Sequence, residues 1–549
     1  LISTPEQRPM TLIEIENSLG QVYEQMDGSA EHLAENEAGI RKTLLKLEEV
    51  CYVLRDTTRI GLCSASELEQ GSGRTSMEVL AYLLPLLPQQ LGDRNFMKDH
   101  GVRLPYMCGA MANGIASERL VIAMGEAGLL GSFGAAGLVP SRIEEAIQTI
   151  QTSLPEGPYA FNLIHSPAED AIERAAAELF LKHQVKTVEA SAFLDLTPHI
   201  VHYRVNGLSQ GPGEQVMIGN RVIAKISRSE VAEKFMRPPP ERILAKLVQE
   251  NRITETQARL ASRVPMADDI TVEADSGGHT DNRPLVSLLP SILSLRDRIQ
   301  EEQNYSQPIR VGAGGGISTP ASALAAFMMG AGYVVTGSVN QGCVEAAASE
   351  HTKKLLAQAE MADVSMAPAA DMFEMGVQLQ VLKRGTLFPM RAQKLYELYR
   401  NHESIEEIPL LEKEKLEKQI FRKSLEEVWS ETESYFRSRD PHQIERAMNH
   451  PKRRMALIFR WYLGLSSRWS NHGETGRETD YQIWCGPAMG AFNAWVKGSF
   501  LEEPSNRRVV DIAENLMQGA AYLFRLQQLK TQGIHLPSSL FHYTPVPSA

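Results

Sequence analysis

Ile270-Thr-Val-Glu-Ala-Asp-Ser-Gly-Gly-His279 decides how this chain reads. A β-branched run that stops at two glycines and a histidine has the form of a buried strand ending at a functional loop. Ile309-Arg-Val-Gly-Ala-Gly-Gly-Gly-Ile317 and Tyr333-Val-Val-Thr-Gly-Ser338 repeat the pattern, with helix-like sequence between them. Strand ends of this kind, recurring down a chain, are where α/β barrels carry their chemistry.

Working outward, further strands are expected at Tyr106–Ala110, Leu129–Phe133, Tyr159–Ile164, Thr187–Phe193 and Val222–Ser227, joining Ile270–Asp275, Ile309–Gly312 and Tyr333–Thr336. Helices are expected between them, at Ser117–Ala127, Ser141–Ser153, Pro167–His183, Glu230–Phe235, Pro240–Glu250, Leu285–Gln300 and Pro320–Met329. Eight such units over about 235 residues predict a (β/α)8 TIM barrel, whose usual size is ~250 residues. A doubly wound sheet gives a similar alternation, but it gathers functional residues at one switch point. Here they recur at many strand ends, which favours the barrel. His199–Gly219 falls outside the repeat and reads as an extra hairpin before the fifth strand.

The expected organisation is a leader module over 1–100, the barrel over 101–348 and a helical cap over 349–549. In the leader, 30–50 has helical spacing, Cys51–Asp56 and Thr58–Cys63 read as a strand pair, 64–76 as a loop, and Leu83–Pro88 as an extended linker. In the cap, Leu410–Trp429 and Ile444–Trp461 have helical spacing. The aromatic run Asp480–Trp495 must be largely buried, and all five tryptophans lie beyond residue 428.

Of the 549 residues, 43% are hydrophobic and 22% charged, as expected of a globular protein. The net charge of -11 argues against a general nucleic-acid binder. No apolar window reaches the ~18 residues of a membrane span. The amino end is polar and acidic, unlike a signal peptide. Five scattered cysteines show no metal-like spacing and suit a reducing, cytoplasmic setting. Beginning at Leu1 fits either a processed end or a domain of a longer polypeptide.

Gly314, Gly315 and Gly316, running into a helix that opens at Pro320, suit a phosphate, with Gly337 and Ser338 completing the site. His279, behind Gly277 and Gly278, suits proton exchange beside a planar ligand, and equally suits a structural histidine. Asn162 offers an amide to a polar ring edge. Lys225, ending an apolar strand, needs an anionic partner, either a ligand or an internal carboxylate such as Glu189 or Glu273. Asp275, Asp281 and Arg283 flank His279. His165 and His202 read as structural. Lys452-Arg453-Arg454 with Arg460 and Arg468 reads as a solvated helix face, with a docking patch for an acidic partner as the lesser alternative.

Taken together, Gly109-Ala-Met-Ala-Asn-Gly-Ile-Ala116, Asn162-Leu-Ile-His-Ser-Pro167, Glu189-Ala-Ser-Ala192, Glu273–Pro284, Thr336-Gly-Ser-Val-Asn-Gln341, Ala370-Asp-Met-Phe-Glu374 and Tyr481–Gly490 resemble the PfaD family of trans-acting enoyl reductases. That family stands among the nitronate monooxygenase-like and FabK-like flavin barrels. The likeness runs from about Leu104 to Arg507; the glycine loop departs at Gly314 and Ser318, where alanine and glycine are expected. The resemblance implies FMN at the carboxyl ends of the strands, held by Gly109, Ala110, Met111, Asn162, Lys225, Asp275, Gly277, Gly278, Gly314, Gly315, Gly316, Gly337 and Ser338, with His279 catalytic and no metal. It implies NADPH as reductant and a 2,3-unsaturated thioester on an acyl carrier protein as substrate. It also implies a fused or associated acyltransferase domain, and it allows a homodimer. A nitronate monooxygenase-type flavin oxidase is the alternative, less suited to a large cap.

Overall fold

The computed structural model describes residues 12–15, 22–70, 74–165, 170–213 and 215–547. Eight parallel strands close into a barrel: Tyr106–Cys108, Leu130–Phe133, Ala160–Ile164, Thr187–Ser191, Arg221–Ile226, Asp269–Glu273, Arg310–Gly314 and Val334–Thr336. The eighth pairs with the first, Val334 opposite Tyr106, so no edge remains and the doubly wound alternative is excluded. Residues of both faces are buried, which is why these strands read as unbroken apolar runs. Helix starts follow local capping chemistry. Ser117 accepts the Leu120 amide, and Thr319 accepts the Ser322 amide with Pro320 in the first turn.

The amino end of the barrel is plugged. The ring of Phe96, on the helix Arg94–His100, stacks 4.1 Å from that of Tyr333. Around it, Asp269 accepts from Arg310 Nε at 2.6 Å and pairs with His100 at 2.8 Å. Gly312 makes this closure possible, since a Cβ there would lie 2.5 Å from the Tyr333 ring. The open mouth is therefore at the carboxyl ends of the strands.

Several expectations change. The first half of 199–219 is not hairpin but the crossover helix Pro198–Asn206, capped by Thr197; only Leu208–Gln210 and Val216–Ile218 form the extra hairpin. Within 64–76, read as a loop, Ala65–Glu69 is helical and a strand opens at Thr75. That strand, Thr75–Leu83, is a central member of a four-stranded antiparallel sheet with Glu24–Gly28, Cys51–Arg55 and Ile60–Ser64. The helix of 30–50 is confined to Glu37–Leu45, after a 3-10 turn at Ala30–His32. Leu410–Trp429 is interrupted at Arg422, which adopts φ +56, and Ile444–Trp461 at Pro451, where a new helix begins.

Residues 349–549 contribute to two separate cores. Leu395, Phe421, Val428, Phe459 and Tyr462 gather in a helical core of their own. Ile483, Met489, Phe492, Leu516 and Leu526 instead join the barrel core, as do Ile40, Leu44 and Val53 of the leader. The long helix Val509–Thr531 crosses Pro320–Met328 closely at Gly519, where a Cβ would meet Pro320 at 2.5 Å. The aromatic run is buried as expected, Tyr481 at 1% and Cys485 at 0% exposure.

Candidate active site

Six strands deliver the predicted residues to the barrel mouth. After the first strand, the Gly109 amide donates to the Thr336 carbonyl at 3.0 Å, and the Ala110 amide to the Glu189 carboxylate at 2.9 Å, with Met111 following. Asn162, on the third strand, donates from Nδ2 to Ser191 Oγ at 2.7 Å and to the Glu189 carbonyl at 3.1 Å. Its Oδ1 accepts nothing from the described residues.

Lys225, near the end of the fifth strand, lies 3.3 Å from Glu273 of the sixth. Burial alone would lower this ammonium, but the carboxylates of Glu273 and Glu189 outweigh it and hold the pKa above its ordinary value. The internal partner allowed by the sequence is thus present, and a fixed cation stands at the mouth.

The glycine loops differ among themselves. Gly315 and Gly316 have φ of +81 and +75, and their amides find no acceptor among the described residues. A Cβ on Gly316 or Gly337 would meet nothing within 4 Å, so the backbone there faces open space. Gly314 instead ends the seventh strand, packed against Thr271. The Ser318 amide donates to Ser322 Oγ, and Ser338 Oγ accepts from the Gly486 amide at 3.2 Å. Asp275 accepts from Asn282 at 2.9 Å and from Gln380 at 2.8 Å, so its carboxylate organises the turn through Gly277 and Gly278.

His279 does not end a plain loop. Gly278 and His279 form a short antiparallel ladder with Gln380 and Leu379, part of the hairpin Val364–Pro368 and Gln378–Leu382. His279 Nε2 donates to Asp371 Oδ1 at 3.0 Å. Burial lowers the imidazole pKa, but the Asp371 carboxylate more than reverses this and raises it above the ordinary value. Stabilisation from the pair is therefore full below the unfolded value near 6.5 and fades as pH rises through the raised folded value.

Residues 95–421 match the nitronate monooxygenase family. The enoyl reductase domain of MlnA from the macrolactin cluster of Bacillus amyloliquefaciens superposes with a TM-score of 0.77 and 40% identity, covering 81% of this chain and 99% of that domain. The chain belongs to the nitronate monooxygenase family. Within that family its motifs are PfaD-like, and the MlnA domain it superposes on is an enoyl reductase. A polyunsaturated fatty acid synthase component of Thraustochytrium sp. is 47% identical over 93% of this chain and 34% of that protein. PksE of Bacillus subtilis, a polyketide biosynthesis protein, is 47% identical over 80% of this chain and 58% of that protein. The chain thus spans about a third of the first and under two thirds of the second. Residues 402–481 match the inserted helical domain of [acyl-carrier-protein] S-malonyltransferase.

This PfaD-like chain has site residues that sequence reasoning missed. Asp371 and Gln380 lie in a hairpin within a stretch read as helical. The alternation Gln378-Leu-Gln-Val381 was its signal, with Leu379 and Val381 buried. The basic cluster is also not a solvated face. Lys452 sits 4.6 Å over the Tyr399 ring, Arg454 4.8 Å over Trp429, and Arg460 pairs with Glu374, leaving only Arg468 exposed. His165 pairs with Glu173 and His202 with the Arg252 carbonyl, the structural roles expected of them. No group of side chains suited to a metal occurs among the described residues, and no described helix is long and apolar enough to cross a membrane.

Asp281 ties the loop after the fifth strand to the loop carrying His279. It accepts from Ser227 at 2.6 Å and Arg228 at 2.9 Å, and the Arg228 hydrogen bond draws its pKa down to about 2. A depressed carboxylate stabilises above its unfolded value of 3.8 and loses that contribution as pH falls through about 2. Asp281→Asn is expected to cost about 1–2 kcal/mol at pH 6, the ion pair being partly screened. In urea unfolding, the gap to wild type must narrow at pH 3.

Proposed function

We propose that this chain is an FMN-dependent, NADPH-using, trans-acting enoyl-[acyl carrier protein] reductase. The observation that carries the reading is the meeting, at one barrel mouth, of open glycine backbone at Gly316 and Gly337 with Lys225, Asn162 and His279. Open amides in a left-handed turn fit a phosphate, and a ring edge with an amide and a fixed cation fits the polar side of a flavin. FMN, when bound, supplies hydride exchange between NADPH and the β-carbon of an unsaturated thioester.

The residues of the chain supply the rest. Gly315, Gly316 and Gly337 hold the phosphate by backbone amides; Gly109 to Met111 and Gly277 to Gly278 form walls that keep side chains away from the ring. Lys225 remains an ammonium and balances negative charge beside it. His279 stabilises the enolate oxygen of the thioester or protonates its α-carbon. The names of the relatives support a place in fatty acid or polyketide assembly, and on that reading the substrate is a thioester carried on an acyl carrier protein. We further propose a cytoplasmic setting, an acyltransferase domain fused or associated with the chain, a homodimer, and the division into 1–100, 101–348 and 349–549.

An anaerobic flavin spectrum tests this reading. The purified protein should be yellow, bleach with NADPH, and recolour when given a 2-enoyl thioester on a carrier protein. A flavin that recolours only with oxygen or a nitronate would favour the flavin oxidase alternative.

A further inference from the structure

The ladder at Gly278 and His279 joins the barrel mouth to the helical core. Its two-residue register is set by the hairpin, and a slip by one would turn His279 to the other face. The hairpin is braced from both ends. Near the barrel, Gln380 Nε2 donates to Asp275 Oδ1 and to the Ser276 carbonyl, each at 2.8 Å, while the Gln380 backbone carbonyl accepts from the Cys485 amide. At the tip, the Ala369 amide donates to the Val377 carbonyl at 2.9 Å, and Gly376 turns with φ +71. Phe373 is wholly buried, with ring contacts to Tyr396, Tyr399 and Phe459. Glu374 reaches Arg460 of the helix Pro451–His472 at 3.5 Å. Asp371 stands between these braces, so its carboxylate arrives at His279 Nε2 already oriented.

We propose that Asp371 is a positioning residue that fixes the His279 ring through Nε2 and keeps it as the imidazolium that protonates the α-carbon of the reduced thioester. The proposal rests on the enoyl reductase reading and extends it to the source of the proton. Nδ1 of His279 has no partner among the described residues, so its N–H is the one left for substrate. Hydride addition at the β-carbon leaves an electron pair on the enolate. That pair takes the Nδ1 proton, a C–H bond forms as the N–H bond breaks, and the neutral imidazole regains a proton from water. The charged groups around His279 are Asp371 on the hairpin, Glu273 on the sixth strand and Lys225 on the fifth, while Arg460 acts on Asp371 from the helical core. Burial and Lys225 oppose charge on the ring, and the carboxylates of Asp371 and Glu273 outweigh them in favour of the cation.

The test compares wild type, Asp371→Asn and Asp371→Glu in the FMN-loaded chain, with melting curves confirming the fold. Histidine 15N NMR, with His279 assigned through His279→Gln, gives the titration midpoint of the ring without any turnover. Asp371→Asn is expected to lower that midpoint, and Asp371→Glu to restore it in part. In stopped flow, flavin reduction by NADPH stays unchanged in Asp371→Asn. Reoxidation by the enoyl thioester slows roughly 100-fold at pH 8, with its alkaline limb moved to lower pH. An unchanged midpoint, or equal loss in both half-reactions, overturns the proposal. A wild-type flavin that ignores the thioester overturns the enoyl reductase reading instead, and the midpoints then still judge the Asp371 pairing.

Discussion

His279→Ala is expected to leave a yellow protein that NADPH still bleaches but that no longer turns over an enoyl thioester at a useful rate. The reason is the separation of tasks at the mouth. The glycine backbone at Gly315, Gly316 and Gly337 makes no hydrogen bond with the His279 side chain, so the proposed phosphate site is expected to survive its removal. What is lost is the one imidazole held beside the barrel mouth on the hairpin ladder. A positioned acid or oxyanion donor contributes typically 10²–10⁴-fold, so reoxidation of the flavin by thioester should fall by about that factor. Single-turnover absorbance traces for the two half-reactions separate the effects. Reoxidation at the wild-type rate would remove His279 from the chemistry altogether. Loss of the flavin itself would mean that the side chain serves binding.

Arg525→Met is expected to be the most damaging change away from the mouth. Arg525, on the helix Val509–Thr531, is wholly buried. Its guanidinium donates to the carbonyls of Lys46 at 2.8 Å, Leu44 at 3.1 Å and Leu84 at 3.3 Å, and also reaches Glu49. Burial pulls its pKa below the ordinary arginine value, and the backbone carbonyls, rather than a carboxylate, carry its charge. Methionine keeps much of the volume and leaves several buried acceptors unpaired, at roughly 1–3 kcal/mol for each one that water cannot reach. A loss of about 3–5 kcal/mol is expected, read as a lower urea midpoint. Limited proteolysis should then cut first between residues 44 and 50. A melting curve and cleavage pattern like those of wild type would show that the clasp does not hold the leader to the barrel.

The barrel was legible because its chemistry is local. Parallel strands covered on both faces need unbroken apolar β-branched residues, and Ile270–Val272 and Val334–Val335 declare themselves by that run. The glycines that end them mark backbone that must turn with positive φ or approach closely, as at Gly315 and Gly316. His279 and Lys225 stood out because a titratable residue at the end of such a strand demands a partner. The hairpin was obscure for the opposite reasons. Val364–Pro368 is short, includes a proline and lies in helix-rich sequence, and its third strand is only the two residues Gly278 and His279. Arginines at 453, 454 and 460 misled because their spacing fits a wet helix face, whereas Arg453 donates to Gln443, Arg454 lies over the Trp429 ring and Arg460 pairs with Glu374.

By itself, then, the sequence pointed to a barrel of eight parallel strands and to the strand ends where the candidate histidine and glycine loops gather, because each follows from patterning within a few residues; the pairing of the eighth strand with the first closed it. The tertiary structure alone decided who stands beside whom. It brought Asp371 to His279 across 92 positions, Gly486 to Ser338 across 148, and Arg525 to Leu44 across 481. Such pairings depend on how finished elements pack, and nothing in the neighbourhood of either partner encodes them.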